Sequence, residues 1–349
     1  MSVLKRPRLY AAAAALTGAA IALSACSSSG SGSTDAGATT AAAASFPSKI
    51  RIGYQLVTNG DLVVKNQKLL EKAFGDKVKI EWSQFASGGD VNQAIAAGSI
   101  DLGLAGSMAV ARGASTGIPY EVPWIFDVIG SSEALVAKPG ITSIADLKGK
   151  TVATPFASTS HYSLLAALQD AGIDPNSVNI IDSEPDAIVA AWKAGQIDAA
   201  YTWNPSLAEL IKDGGTTLVD SSQLAAKGKT TYDLAVVTKE FATKYPAAVQ
   251  TWIDQEDAAV KELQAGDQKA YDSIAAEANI TPAEAQEQTK GLIFVTAKDQ
   301  AGADYLGGTL PTNLYATAQF NKTLGQIDSV KDEQTYHDAV VPTFAAAAK

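Results

Sequence analysis

Apolar and polar residues alternate over Lys49-Ile50-Arg51-Ile52-Gly53-Tyr54, the period of two of a half-buried strand. Beyond Gly60, the apolar positions Leu62, Val63, Leu69, Leu70 and Phe74 fall at helical spacing, and Val78-Lys79-Ile80-Glu81-Trp82 returns to the strand period. The same reading predicts a helix over 91–97, a strand over 101–105, and strands at 151–154, 178–181 and 198–201 with helices between them. Strands alternating with helices make an α/β chain with largely parallel sheets. The last third turns helical, over 247–263, 269–278, 282–290 and 310–323, and its aromatic residues read as packing rather than as a ligand cage.

One segment is repeated. Ile95-Ala96-Ala97-Gly98-Ser99-Ile100-Asp101-Leu102-Gly103 is echoed by Ala191-Trp192-Lys193-Ala194-Gly195-Gln196-Ile197-Asp198-Ala199-Ala200, each reading as helix, glycine stop, strand. Gly98 and Gly195 suit the left-handed position just past a helix end. The strands lead to Gly106-Ser107 in one copy and to Trp203-Asn204 in the other. Ligands of open α/β sheets bind outside the carboxyl ends of strands, so two such units predict two lobes facing one another across a cleft.

The start of the chain has a different logic. Lys5, Arg6 and Arg8 precede an apolar run over 9–23, the pattern of a secretory signal. Leu23-Ser24-Ala25-Cys26 resembles the lipobox of bacterial lipoproteins, so residues 1–25 are expected to be a signal peptide and Cys26 an acylated anchor on the outer face of the cell membrane or in the periplasm. The alternative is an ordinary secretory signal with a stray cysteine near its end. Cys26 is the only cysteine, which leaves none for disulfides or for thiolate chemistry. Residues 26–47 are small and polar, a flexible tether. With 27 basic and 37 acidic residues the net charge is -10, and removal of the signal makes it more negative. That charge speaks against nucleic acid as a partner, and any anion site must be built locally.

Catalytic and metal-binding patterns are missing. The chain has 2 histidines, His161 and His337, and the folded region holds no Gly-x-Ser-x-Gly elbow, HExxH, phosphate-binding loop or dinucleotide motif. No catalytic residue, metal or cofactor is expected, and the chain reads as a non-enzyme. Three stretches instead carry glycines and hydroxyls ahead of predicted helices: Ser87-Gly88-Gly89, Gly106-Ser107-Met108 and Ser158-Thr159-Ser160-His161. Helix N-termini hold anions through unpaired N–H groups and the helix dipole, worth roughly 0.3–2 kcal/mol each.

Ser132-Glu133-Ala134-Leu135-Val136, Ser158-Thr159-Ser160-His161-Tyr162-Ser163-Leu164-Leu165, Ala190-Ala191-Trp192 and Gly195-Gln196-Ile197-Asp198-Ala199-Ala200-Tyr201-Thr202-Trp203 resemble the taurine-binding proteins of ABC importers, within the wider group for nitrate and sulfonates. The resemblance covers about residues 50–241. It implies a type II periplasmic-binding-protein fold in which two α/β lobes, joined by two crossing strands near 132–137 and 233–237, close over a small molecule. Residues 48–133 and 234–349 would form lobe one and residues 134–233 lobe two. It further implies a monomer that hands taurine to an ABC permease. Other small sulfonates, nitrate, a thiamine precursor, or a sensory lipoprotein without a transporter are the alternatives.

Taurine carries a sulfonate and an ammonium. For the sulfonate the candidates are Ser87, Gly88, Ser107, Met108, Thr159, Ser160 and His161; the histidine either touches the ligand or only holds its loop. For the ammonium they are Asp233, a lone carboxylate at the start of an apolar strand where an unpaired charge is costly, and Glu121. Of the two Asp233 is favoured, the alternative for it being a salt bridge to a lobe lysine; a solvated loop acid explains Glu121 as well. Trp203, beside Asn204, is expected over the ethylene chain, and Tyr54 and Gln55 at the end of the first strand complete the set. The chain departs from the family pattern at Asp90, which would repel a sulfonate if it faced the cleft but as an N-cap or first-turn residue is expected to point away and stabilise its own helix, and at Gly106-Ser107-Met108, where a second serine and a proline are often found.

Overall fold

A computed structural model describes residues 46–349; the signal peptide, Cys26 and nearly all of the tether lie outside the described residues. In chain order the strands are β1 (Lys49–Tyr54), β2 (Lys79–Gln84), β3 (Leu102–Gly106), β4 (Tyr120–Ile129), β5 (Glu133–Ala137), β6 (Thr151–Thr154), β7 (Asn179–Asp182), β8 (Ala199–Trp203), β9 (Thr216–Asp220), β10 (Tyr232–Thr238) and β11 (Leu292–Ile293). They form two sheets, ordered β11-β4-β10-β3-β1-β2 and β7-β6-β8-β5-β9. β1 runs parallel to β2 and β3, and β6 parallel to β7 and β8, while β10 and β5 run antiparallel to their neighbours. Each reversed strand follows a crossing between lobes.

The helices that matter for the site are α1 (Gly60–Asn66), α2 (Leu69–Phe74), α3 (Gly88–Ala96), α4 (Ser107–Thr116) and α5 (Thr159–Asp170). The single helix expected over 62–74 is split in two, because Lys68 takes a left-handed conformation with φ 55°. β4 escapes the alternation rule because nearly all of it is buried, so both faces are apolar. No helix of the described residues is long and apolar enough to cross a membrane.

The repeat folds as two equivalent corners. Gly98 and Gly195 have φ values of 67° and 70°, and Ser99 and Gln196 donate their N–H groups back to Ala94 and Ala191. The aspartate that follows ties each strand to its neighbour: Asp101 Oδ2 accepts the Arg51 N–H at 2.9 Å, and Asp198 Oδ2 accepts the Thr151 N–H at 2.8 Å. Burial then holds the lobes together internally. Ile50, Ile52, Leu102, Leu104, Leu234 and Val236 pack in the first, while the second buries Leu135, Leu164 and Tyr201 on one face of its sheet and Val136, Ile188 and Trp192 on the other.

The chain leaves the first sheet after β4 through residues 130–132 and returns before β10. The outward crossing is clamped to the segment ahead of β11, since the N–H groups of Gly130 and Ser132 both donate to Gly291 O at 3.0 and 3.2 Å, and Ser132 Oγ donates to Gln288 O at 2.5 Å. Leu234, the residue at which the sequence reading restarts lobe one, lies within β10, whose first residue Tyr232 already belongs to the first sheet.

Candidate binding site

Between the lobes lies a cavity whose walls include Gln55, Gly88, Gly106 and Asp233 from the first lobe and Glu133, Thr159, Trp203 and Asn204 from the second. Three helices begin at it. The N-cap of α3 is Ser87, that of α4 is Gly106 and that of α5 is Ser158, whose hydroxyl accepts the His161 N–H at 3.2 Å. The first N–H groups of each helix have no partner within it, so three sets of donors and three positive dipole ends converge on one small space. The convergence needs glycines: a Cβ on Gly88 would stand 3.0 Å from Ala109 Cβ, and one on Gly106 would stand 2.8 Å from Thr159 Cγ2 across the cleft. Ser87 Oγ also reaches across, donating to Glu184 at 3.2 Å. The jaws are closed.

Carboxyls gather around the same cavity. Glu133, 1% exposed, opens β5 and is caged by hydroxyls: Thr159 Oγ1 donates to it at 2.5 Å, Ser221 Oγ at 2.8 Å and Ser163 Oγ at 3.3 Å. Asp233 near the start of β10 faces Asp127 of β4 across the strand pair, and both are buried. Asn59, the N-cap of α1, donates from Nδ2 to Asp127 Oδ2 at 2.9 Å. Among the described residues none of these three carboxyls has a Lys, Arg or His ion-pair partner. Desolvation pushes all three up from ordinary carboxylate values; the hydroxyl cage partly offsets this at Glu133, and mutual repulsion adds to it at Asp233.

Gln55, Gly88, Thr159, Trp203, Asn204 and Asp233 thus meet at the cavity as the sequence reading expects. Other expectations are corrected. Thr159 spends its hydroxyl on Glu133, so only its backbone N–H remains for an anion. Ser107 Oγ accepts the Tyr232 N–H at 3.3 Å, Met108 is core, and Ser160 is fully buried and does not line the cavity. Ser87 lines an outer groove instead, and Asp90 lines the same groove, the placement away from the cavity expected of a first-turn residue. Tyr54 packs on Trp82 under Lys65. Glu121 pairs with Val237 at the far end of β4, away from Asp233, because β4 runs the length of the sheet between them.

His161 is a support, not a wall. Its ring stacks on Phe156 with centroids 4.5 Å apart and an angle of 8°, and Nδ1 accepts the Ala157 N–H at 3.4 Å. Burial pushes it down to about 4, so it is neutral at physiological pH and rigidifies the loop that starts α5. Glu133 and Asp127 are the residues missing from the sequence reading. Each had the signal that picks out Asp233, a lone carboxylate in an apolar strand: Val122-Pro123-Trp124-Ile125-Phe126-Asp127-Val128-Ile129 and Glu133-Ala134-Leu135-Val136.

The profile of the family described as NMT1/THI5 like matches residues 76–279. The taurine-binding periplasmic protein of Escherichia coli (strain K12) is 34% identical over 299 residues, which is 82% of this chain and 90% of that protein. A putative aliphatic sulfonates-binding protein of the same organism is 31% identical over 212 residues, 60% of this chain and 65% of that one. Among solved structures, the alkanesulfonate-binding protein SsuA from Xanthomonas axonopodis pv. citri bound to MOPS matches with a TM-score of 0.70 at 22% identity, over 86% of this chain and 99% of that chain. The periplasmic nitrate-binding protein NrtA from Synechocystis PCC 6803 matches with 0.66 at 14% identity, over 85% and 87%. These two likenesses concern the fold.

Proposed function

This chain belongs to the NMT1/THI5-like family, and from that premise we propose that it is an extracytoplasmic solute-binding protein that captures taurine and delivers it to the permease of an ABC transporter. Like the relatives named above, it is a binding protein rather than an enzyme. One observation carries the ligand: three helix N-termini and three buried carboxyls without basic partners line or back the same cavity. An anion alone would suit the first and be repelled by the second. A zwitterion with a sulfonate at one end and a primary ammonium at the other answers both, with the sulfonate on the N–H groups of α3, α4 and α5 and the ammonium toward Asp233 and Glu133. Trp203 then covers the ethylene chain. In this reading the protein works as a monomer, closing by hinge rotation about the two crossings, and Cys26 tethers it to the membrane.

Titration calorimetry with taurine, ethanesulfonate and nitrate tests the assignment. A hydrogen bond to a charged group contributes about 1.5–3 kcal/mol, so ethanesulfonate should bind roughly 10- to 150-fold more weakly than taurine. Equal affinity would remove the role of the carboxyls, and no binding by any of the three would remove the ligand class.

A further inference from the structure

Asp127 does not line the cavity. It is wholly buried behind Asp233, with Oδ2 taken by Asn59 Nδ2 and Oδ1 left without a partner while both carboxyls are ionised. Asp127 and Asp233 are direct register partners on adjacent antiparallel strands, so their side chains stand on the same face of the sheet and repel one another when both are ionised. A single proton on Oδ1 would satisfy that orphan atom by donating to Asp233. Among the described residues no Lys, Arg or His is ion-paired with either carboxyl, and the nearest cation on that side, Lys65, acts on Asp61 and pairs with Glu277. The charged or titratable groups near the pair are Glu133, across the cavity, and the buried acids Asp61 and Glu256 beyond Asn59, whose Oδ1 accepts the Asp61 N–H. Strand β11 brings only Leu292 and Ile293.

Resting on the taurine reading above, we propose that Asp127 is a positioning residue that shares one proton with Asp233, and that this proton passes to solvent when the ligand's ammonium docks against Asp233. The pair starts with one proton and a single negative charge. On docking, the O–H bond of Asp127 breaks and the electron pair stays on its oxygen. The proton goes to the bulk buffer, and the ammonium replaces it as the positive charge facing Asp233. The ammonium touches Asp233, and because the two carboxyls share the proton the contact lowers the proton affinity of the pair, by about one to three pKa units for a carboxyl at contact distance; that gain is set against the return of Asp127 Oδ1 to an unpartnered state. Capture of a primary ammonium is thereby tied to pH, and affinity climbs by up to about tenfold per pH unit while the free pair is protonated and the ligand's amine remains charged.

The test is taurine calorimetry on the full chain between pH 5.5 and 8 in two buffers of different ionisation enthalpy. The expected result is a binding enthalpy that depends on the buffer with the sign of proton release. In Asp127→Asn, whose amide donates to Asp233 without a removable proton, and in Asp127→Ser, whose hydroxyl does the same, the buffer dependence should fall away and the pH profile should flatten. If wild-type protein binds taurine with no buffer dependence, the proposal fails while the taurine reading stands. If both variants keep the wild-type dependence, the proton comes from elsewhere, Glu133 being nearest, and the assignment to Asp127 is overturned. If taurine does not bind at all, the function reading fails and the coupling to this ligand falls with it; the shared proton is then judged separately, because unliganded Asp127→Asn should lose part of the wild-type dependence of melting temperature on pH.

Discussion

Gly106 ends β3 at the cleft, and its replacement by alanine isolates the closed state. Its backbone, at φ -63° and ψ 153°, accepts any L-residue, so the substitution does not strain the chain. The new methyl would stand 2.8 Å from Thr159 Cγ2 on the opposite lobe, where carbon atoms ordinarily meet at about 3.5–4.0 Å. Overpacking of this kind costs about 1–3 kcal/mol, and it falls on the form in which the lobes touch. Ligand binding needs that form, so the affinity for taurine should drop roughly 5- to 150-fold. The melting temperature of the unliganded protein should change little, since alanine in place of glycine at a compatible φ and ψ adds about 0.4–1 kcal/mol while alanine is the poorer N-cap for α4. The control is Thr159→Ser in the same background, which deletes Cγ2 but keeps the hydroxyl that Glu133 accepts. The double variant should recover most of the lost affinity, a coupling that calorimetry over the four proteins of a double-mutant cycle reads directly. An unchanged affinity for Gly106→Ala, or a double variant no better than the single one, would refute closure at this contact.

Two further outcomes are expected. Burial pushes Asp61 and Asp127 up to about 7, and Glu133, Asp233 and Glu256 also stand above ordinary values, so the native chain holds more protons than the unfolded one from about pH 4 toward neutrality. The stability from each raised carboxyl is present at low pH and lost as pH rises through its folded value, at up to about 1.4 kcal/mol per pH unit per proton. His161, pushed down to about 4, works the other way: its contribution is present above 6.5 and lost as pH falls toward 4. Five carboxyls outweigh one imidazole, so scanning calorimetry of the unliganded protein should show a melting temperature that falls between pH 5 and 8; a rise would contradict the assignment. His161→Ala removes the stacking on Phe156 and an acceptor for the Ala157 N–H, so thermal unfolding should show a loss of about 1–2 kcal/mol, with a smaller effect on taurine affinity than Gly106→Ala. A variant of unchanged stability but lost affinity would put the imidazole in the binding wall after all.

Much of the fold is legible because its signals are local. The corner at Gly98 and the one at Gly195 each need only a helix stop, a left-handed glycine and an aspartate that binds the next strand's N–H, and all three stand within a few residues of one another in sequence. The predicted strand over 151–154 coincides with β6 for the same reason. β4 and the reversed β10 are harder to read, because a strand buried on both faces has no alternation, and its partner is chosen by a crossing more than a hundred residues away.

The site divides along the same line. A helix N-terminus can be read from Ser158-Thr159-Ser160 alone, and so can a lone carboxylate in an apolar strand. What the sequence lacks is the pairing. Thr159 looks like an anion donor until Glu133 is seen to take its hydroxyl, and Asp233 looks like a single counter-charge until Asp127 is found opposite it. Each correction arises from a contact between distant segments, and each moves negative charge toward the cavity. On the proposed taurine reading, the anion end of the site therefore rests on backbone N–H groups, which cannot be titrated or deleted by side-chain substitution, whereas the cation end rests on carboxyls whose charge follows pH and whose number a single substitution changes. Recognition of the sulfonate should be shared by any chain with these three helix starts, and the choice among sulfonates should be settled at Asp127, Glu133 and Asp233.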